Sequence, residues 1–406
     1  CMRRIFILQL SMMIAVAVQA QPQALTFSKV LQQQGKDPLL FVKEKLDAHA
    51  LLVFDDALHS ALEPFVFYNQ LLTDSSLASK LDYIFIEVFP INVQPYLDSF
   101  FRAPEKDTAL LMKVFQDDYS GYGWRYQTYL DLLTTIWDTR KRSGKQDKLQ
   151  VIAVSPPVYW EALHTRSDYE LFQQSLAARD YFMYVTMLQH MQQFKQGKKG
   201  IFLTNTRHAY KNIRNAAGQL YWNTMTFFHQ WHPGRACSIR FHNVFLSRKR
   251  KKESNGKKTT EGLSDYEYAW VLPANGLWDS AYNKTAMRPL AIPLAGNVFG
   301  QSPYLGNHAP DVPANTTMAD AYDAVIFLTP LHASQLSARM NFFYTPAFKK
   351  ELMRRIRLLE GDDLSQTLKQ SGAGTLEAYV ERLSACQSVQ PNTLAPRKPP
   401  WSPCLF

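Results

Sequence analysis

The feature that most constrains this chain is an alternation. Short uninterrupted apolar runs are separated by longer stretches whose apolar residues recur at helical spacing. The runs are "ALLVF" (Ala50–Phe54), "DYIFIEVF" (Asp82–Phe89), "LQVIAVS" (Leu149–Ser155), "GIFLTN" (Gly200–Asn205), "CSIRFHNVFL" (Cys237–Leu246) and "DAVIFLTPL" (Asp323–Leu331). Between them lie helical patterns such as "YQTYLDLLTTIWDTRKR" (Tyr126–Arg142) and "AARDYFMYVTMLQHMQQFKQG" (Ala177–Gly197). A strand that is apolar at every position is covered on both faces, which is the situation of a parallel sheet beneath helices. The pattern predicts an α/β fold with a largely parallel central sheet flanked by helices. Ser334 to Cys386 reads as helix only, a helical C-terminal segment packed on one side.

The start of the chain reads as a leader. Arg3 and Arg4 precede an apolar stretch, Ile5 to Val18, and "VQA" ends at Ala20 like a small-residue cleavage site. The expected organisation is a signal peptide over 1–20, an α/β domain over 21–333, the helical segment over 334–385 and a Pro-rich tail over 386–406. The expected location is periplasmic or secreted, with no transmembrane segment, because later apolar runs are broken by charges well short of spanning length.

The formal charge of +10 is local. The leader contributes +2 and "SRKRKKESNGKK", Ser247 to Lys258, contributes +6, so the remainder is close to balanced. That distribution argues against specific nucleic-acid binding by the fold. It leaves the basic run as a solvated loop or a contact for an anionic surface. In an oxidising compartment Cys386 and Cys404 could clasp the tail, leaving Cys237 as a buried free thiol. No cysteine pair has the spacing of a zinc or redox motif.

In open α/β sheets ligands bind beyond the carboxyl ends of the strands, and the polar residues of this chain gather there. The first strand runs into Asp55, Asp56 and His59, and the second carries Glu87. The third ends on Ser155 before two prolines. The fourth ends on Asn205, followed by Arg207 and His208. Ser60 and Glu63 match an S-x-x-E capping box, predicting a helix that starts just after His59. His229 and His232 have a metal-like spacing but precede a strand, which puts them at the opposite sheet edge. His242 falls inside the fifth run.

These motifs, in this order, resemble the erythromycin esterase and ChaN-like superfamily. In that family the first strand ends in a G-E-x-x-H turn followed by a small residue and a glutamate, and here it reads "DDALHSALE". A second strand with an internal glutamate corresponds to "IEVF", a "GDPP" near a tryptophan to "VSPPVYW", and a turn ending in histidine to "NTRHAYK". The resemblance spans roughly Leu51 to Leu331. The sequence departs from it where Asp55 replaces a glycine, Asp56 a glutamate and Ser155 an aspartate, and where "NTRH" lacks the family's glycines.

The resemblance implies hydrolysis of an ester or related bond by activated water. His59 would be the general base, Asp56 or Glu87 would orient it, and His208 would stabilise the oxyanion. Asp55, Glu63, Ser155, Asn205 and Arg207 would contact a small-molecule substrate. Ser155 lacks the G-x-S-x-G context of a nucleophile. The same resemblance leaves three alternatives open: a divalent metal between His59, His208 and a carboxylate; haem with a histidine as axial ligand; or a catalytically degenerate scaffold. The sequence names no cofactor.

Overall fold

The computed structural model describes residues 24–143, 149–250 and 266–385. The leader, the tail with Cys386 and Cys404, and the basic run beyond residue 250 lie outside the described residues.

A seven-stranded sheet forms the centre of the molecule. It is built from β1 (Leu51–Asp55), β2 (Tyr83–Pro90), β3 (Gln150–Ser155), β4 (Gly200–Thr204), β5 (Ala236–Phe241), β8 (Leu290–Pro293) and β9 (Ala324–Phe327). Their order is β3-β2-β4-β1-β5-β9-β8, and every pairing is parallel except β8 with β9. Alternate residues of each strand enter different apolar layers. Leu52, Phe54, Ile84 and Ile86 join one layer, while Leu51, Val53, Tyr83 and Phe85 join the other. Full burial of such a side chain contributes roughly 1.5–3 kcal/mol, so a chain of continuous apolar runs is driven into a two-sided sheet. This is the predicted α/β architecture.

The C-terminal helices Pro346–Glu360 and Leu376–Ala385 cover one face, with Leu352, Ile356, Tyr379, Val380 and Leu383 entering the layer that holds Leu52 and Phe54. Residues 334–345, expected to be helical, instead form turns and isolated bridges, including Ala61 with Leu336 and Tyr126 with Arg339. Helix begins only where Thr345 caps Phe348 N and Pro346 takes the first position, where its missing N–H costs nothing. No helix among the described residues is long and apolar enough to cross a membrane.

Three other local expectations change. The run Cys237–Leu246 is not one strand. β5 stops at Phe241, and a separate antiparallel pair follows, β6 (Phe245–Arg250) with β7 (Tyr266–Val271). His242 is therefore just past a strand, and residues 247–250 of the basic run are strand rather than loop. The Ser60–Glu63 capping box does not form. The helix starts at Glu63 with Leu62 in the cap position and no side-chain cap, while Glu63 Oε1 accepts from Gln335 N at 2.6 Å. Packing against the 334–339 segment takes the carboxylate away from its own helix. Cys237 is buried and free, as read from the sequence.

Candidate active site

Register explains which residues meet. Parallel pairing sets Asp55 opposite both Thr204 and Arg240. On β2 the register shifts between Ile86 and Pro90, so Glu87 falls in a bulge beside Ser155 of β3. Bulges re-aim side chains, and this one puts a carboxylate at the middle of the carboxyl edge.

Glu87 stands between two imidazoles. Its Oε2 is 3.1 Å from His59 Nε2, and its Oε1 is 3.4 Å from His208 Nε2. Each histidine is backed by an aspartate through the opposite nitrogen: His59 Nδ1 to Asp56 Oδ2 at 2.8 Å, and His208 Nδ1 to Asp180 Oδ1 at 2.7 Å. The result is a row, Asp56–His59–Glu87–His208–Asp180. The Arg179 guanidinium bonds Glu87 Oε1 and reaches Ser155 Oγ at 3.0 and 3.1 Å, and the serine hydroxyl donates to the Glu87 carbonyl. The ring of Tyr119 lies under that guanidinium at 4.6 Å.

Nε2 of His59 has partners for both of its states. Glu87 Oε2 suits the protonated ring, as acceptor. The Asn205 amide nitrogen, 2.9 Å away, suits the neutral ring as a donor to the bare lone pair. Asn205 Oδ1 is occupied by the Arg207 N–H, which turns the amide nitrogen toward the histidine. Tyr129 OH lies 3.1 Å from Nδ1, and the Trp124 ring meets the imidazole edge-to-face at 5.2 Å.

Burial and charge set the protonation pattern. Burial alone would push both imidazoles down. For His59 the attraction of Asp56, then Glu87, outweighs burial and holds the ring well above the ordinary histidine value. Asp180, then Glu87, raise His208 in the same sense. Burial would likewise raise Glu87, but Arg179, His208 and His59 hold it well below the usual carboxylate range. Burial wins at Asp56, whose Oδ1 has no hydrogen-bond partner, and lifts it to about 6 against the pull of His59.

His59, His208, Asp56, Glu87, Ser155 and Asn205 thus converge. Three other residues singled out in the sequence do not. Asp55 is fully buried and turned away, paired with Arg240 and accepting from Thr206 Oγ1 at 3.1 Å and Ala57 N at 2.8 Å. Glu63 holds the 334–339 segment, and the side chain of Arg207 is exposed. His232 bonds Tyr184 OH at 2.7 Å.

Sequence reasoning missed Arg179, Asp180 and Arg240. Each left a signal. Arg179 and Asp180 open a helix that carries no other Lys, Arg, Asp or Glu, and Arg240 interrupts an apolar strand.

The donors do not fit haem ligation as arranged. An axial nitrogen needs a bare, accessible lone pair, whereas three of the four ring nitrogens of His59 and His208 have hydrogen-bond or ion-pair partners, and His208 Nε2, which has no hydrogen-bond partner, is buried 3.4 Å from Glu87. Among the described residues no group of three or more His, Cys, Asp or Glu could hold a metal ion. Arg179 already places a cation on Glu87.

No family model and no curated protein matches the chain. Similar solved structures include a succinoglycan biosynthesis protein (9% identity, TM-score 0.49), covering 75% of this chain and 96% of that one. A mutant of the erythromycin esterase EreC in its open conformation is 10% identical with TM-score 0.45, over 73% and 97% of the two chains. ChaN of Campylobacter jejuni, described as binding haem cofacially, is 10% identical with TM-score 0.33, over 50% and 86%. At these identities the likeness concerns the fold alone.

Proposed function

We propose that the chain hydrolyses an ester or related bond with water, using His59 as general base. The observation that carries this reading is the double provision at His59 Nε2, with a carboxylate for the protonated state and an amide for the neutral one. A nitrogen that gains and loses a proton in each turnover meets a partner here in either state, and Asn205 yields the lone pair to the attacking water. Water gives a proton to Nε2 as its oxygen attacks the carbonyl carbon. Asp56, on Nδ1, holds the ring that has become imidazolium. The Arg179 guanidinium supplies standing positive charge for the oxyanion, His208 adds its own in the fraction that keeps its proton, and the departing alkoxide takes the proton back from Nε2. The products are a carboxylic acid and an alcohol. Hydrolysis is also what the sequence resemblance implies, and a periplasmic or secreted location accords with the leader-like start.

The test is hydrolysis of a panel of activated esters by purified protein. His59→Asn should reduce the rate by roughly two to four orders of magnitude and His208→Asn by about two to three. Wild-type rates in His59→Asn would remove the proposal.

A further inference from the structure

Beside the polar edge lies a cluster of exposed rings unrelated to proton transfer. Tyr181, Trp222 and Trp231 are 50%, 46% and 49% exposed. Phe227 sits between them, its ring centroid 5.5 Å from Tyr181 and 4.9 Å from each tryptophan. Tyr184 supports the cluster from beneath, with centroids 5.4 Å from Phe227 and 5.3 Å from Trp231, and its hydroxyl is fixed on His232. The rings are therefore held in place before any ligand arrives. The cluster is also tied to the site: Tyr181 follows Asp180 directly, and Thr224, opening the helix of Phe227 and Trp231, bonds Asp180 Oδ1 through N and Oγ1 at 2.7 Å each.

The two helices that carry most of the patch are nearly free of charge. Beyond Arg179 and Asp180, helices Arg179–His190 and Thr224–Trp231 contain no Lys, Arg, Asp or Glu. Burial, with Lys211 acting on His229 and Arg235 on His232, holds both imidazoles below the ordinary histidine value. A nucleic-acid strand would need a basic groove, and an interfacial membrane helix carries Lys and Arg on its polar face. The two helices show neither feature. The three half-exposed rings offer about 300–400 Å², well short of the roughly 800 Å² per partner of a stable protein interface. That area matches a few stacked sugar rings. A pyranose presents flat C–H faces to aromatic rings and hydroxyls at its rim, where the Tyr181 hydroxyl, the indole N–H groups and Gln230 offer hydrogen bonds.

We infer that Tyr181, Trp222 and Trp231, around Phe227, form a stacking platform for a neutral glycan. The platform stands whether or not the neighbouring site hydrolyses esters. The test titrates the whole protein with cellohexaose, maltohexaose, chitohexaose and mannohexaose, following tryptophan fluorescence and heat. At least one should bind. Trp222→Ala and Trp231→Ala should each weaken it about tenfold, as loss of one aromatic stack would. Trp231→Phe, which keeps a ring, should weaken it less. Failure of all four at millimolar concentration, or equal binding by both alanine variants, would overturn the inference. So would a dimer, or binding to neutral vesicles, that is lost in Trp231→Ala.

Discussion

Protonation at His59 is decided by two carboxylates acting against burial, and that balance has consequences with a definite sign. Because the folded ring holds its proton more tightly than the unfolded one, protonated His59 contributes stability that is fully present below the unfolded value of about 6.5. The contribution is lost as pH rises through the raised folded value. The base form needed for hydrolysis appears over that same rise. Ester hydrolysis should therefore increase with pH above the usual histidine range. Asp56→Asn removes the strongest attraction on the ring and should move the rise toward lower pH, at some cost in maximal rate. A rate profile already flat from below neutrality in the wild type would count against His59 as base. The histidine, the glutamate and the row of polar strand ends were legible in the sequence because each lies at, just before or just past the carboxyl end of a strand. The roles of Asp180 and Arg179 were not, because a helix packed over the sheet delivers them from a distant part of the chain.

At the scale of elements, the turn after β1 holds a non-glycine residue in unusual backbone. Ala57 has φ +63, the left-handed region that favours glycine. Asp55 compensates by accepting the Ala57 N–H while its other oxygen is held by Arg240. The side chains of this ion pair are 1% and 0% exposed, so neither charge can fall back on water. Arg240→Met should cost about 3–5 kcal/mol, because it leaves Asp55 buried without a counter-charge. Urea unfolding would measure it; a loss below about 1 kcal/mol would mean that the turn is held by other contacts. Apolar runs gave away the parallel strands because each is continuous and flanked by helix. β8 escaped notice because "LAIP" is four residues long and pairs antiparallel with β9 at the sheet edge. The capping-box motif misled because a competing partner, Gln335 N, lies far away in the chain.

Across the whole molecule, the centre exists only when distant segments assemble. The β1 turn brings Asp56 and His59, and the β2 bulge brings Glu87. The end of β4 and its short helix bring Asn205 and His208, and the helix over the sheet brings Arg179 and Asp180. Periodicity and strand ends reveal the sheet and its polar edge, but not which helix start lies over that edge. The most direct measurement is a ring-nitrogen NMR titration of His59 and His208 in the intact protein. Both rings should titrate with midpoints above about 6.5, and Glu87→Gln should lower both midpoints together. Midpoints below about 6.5, or a Glu87→Gln variant that shifts neither ring, would contradict the account.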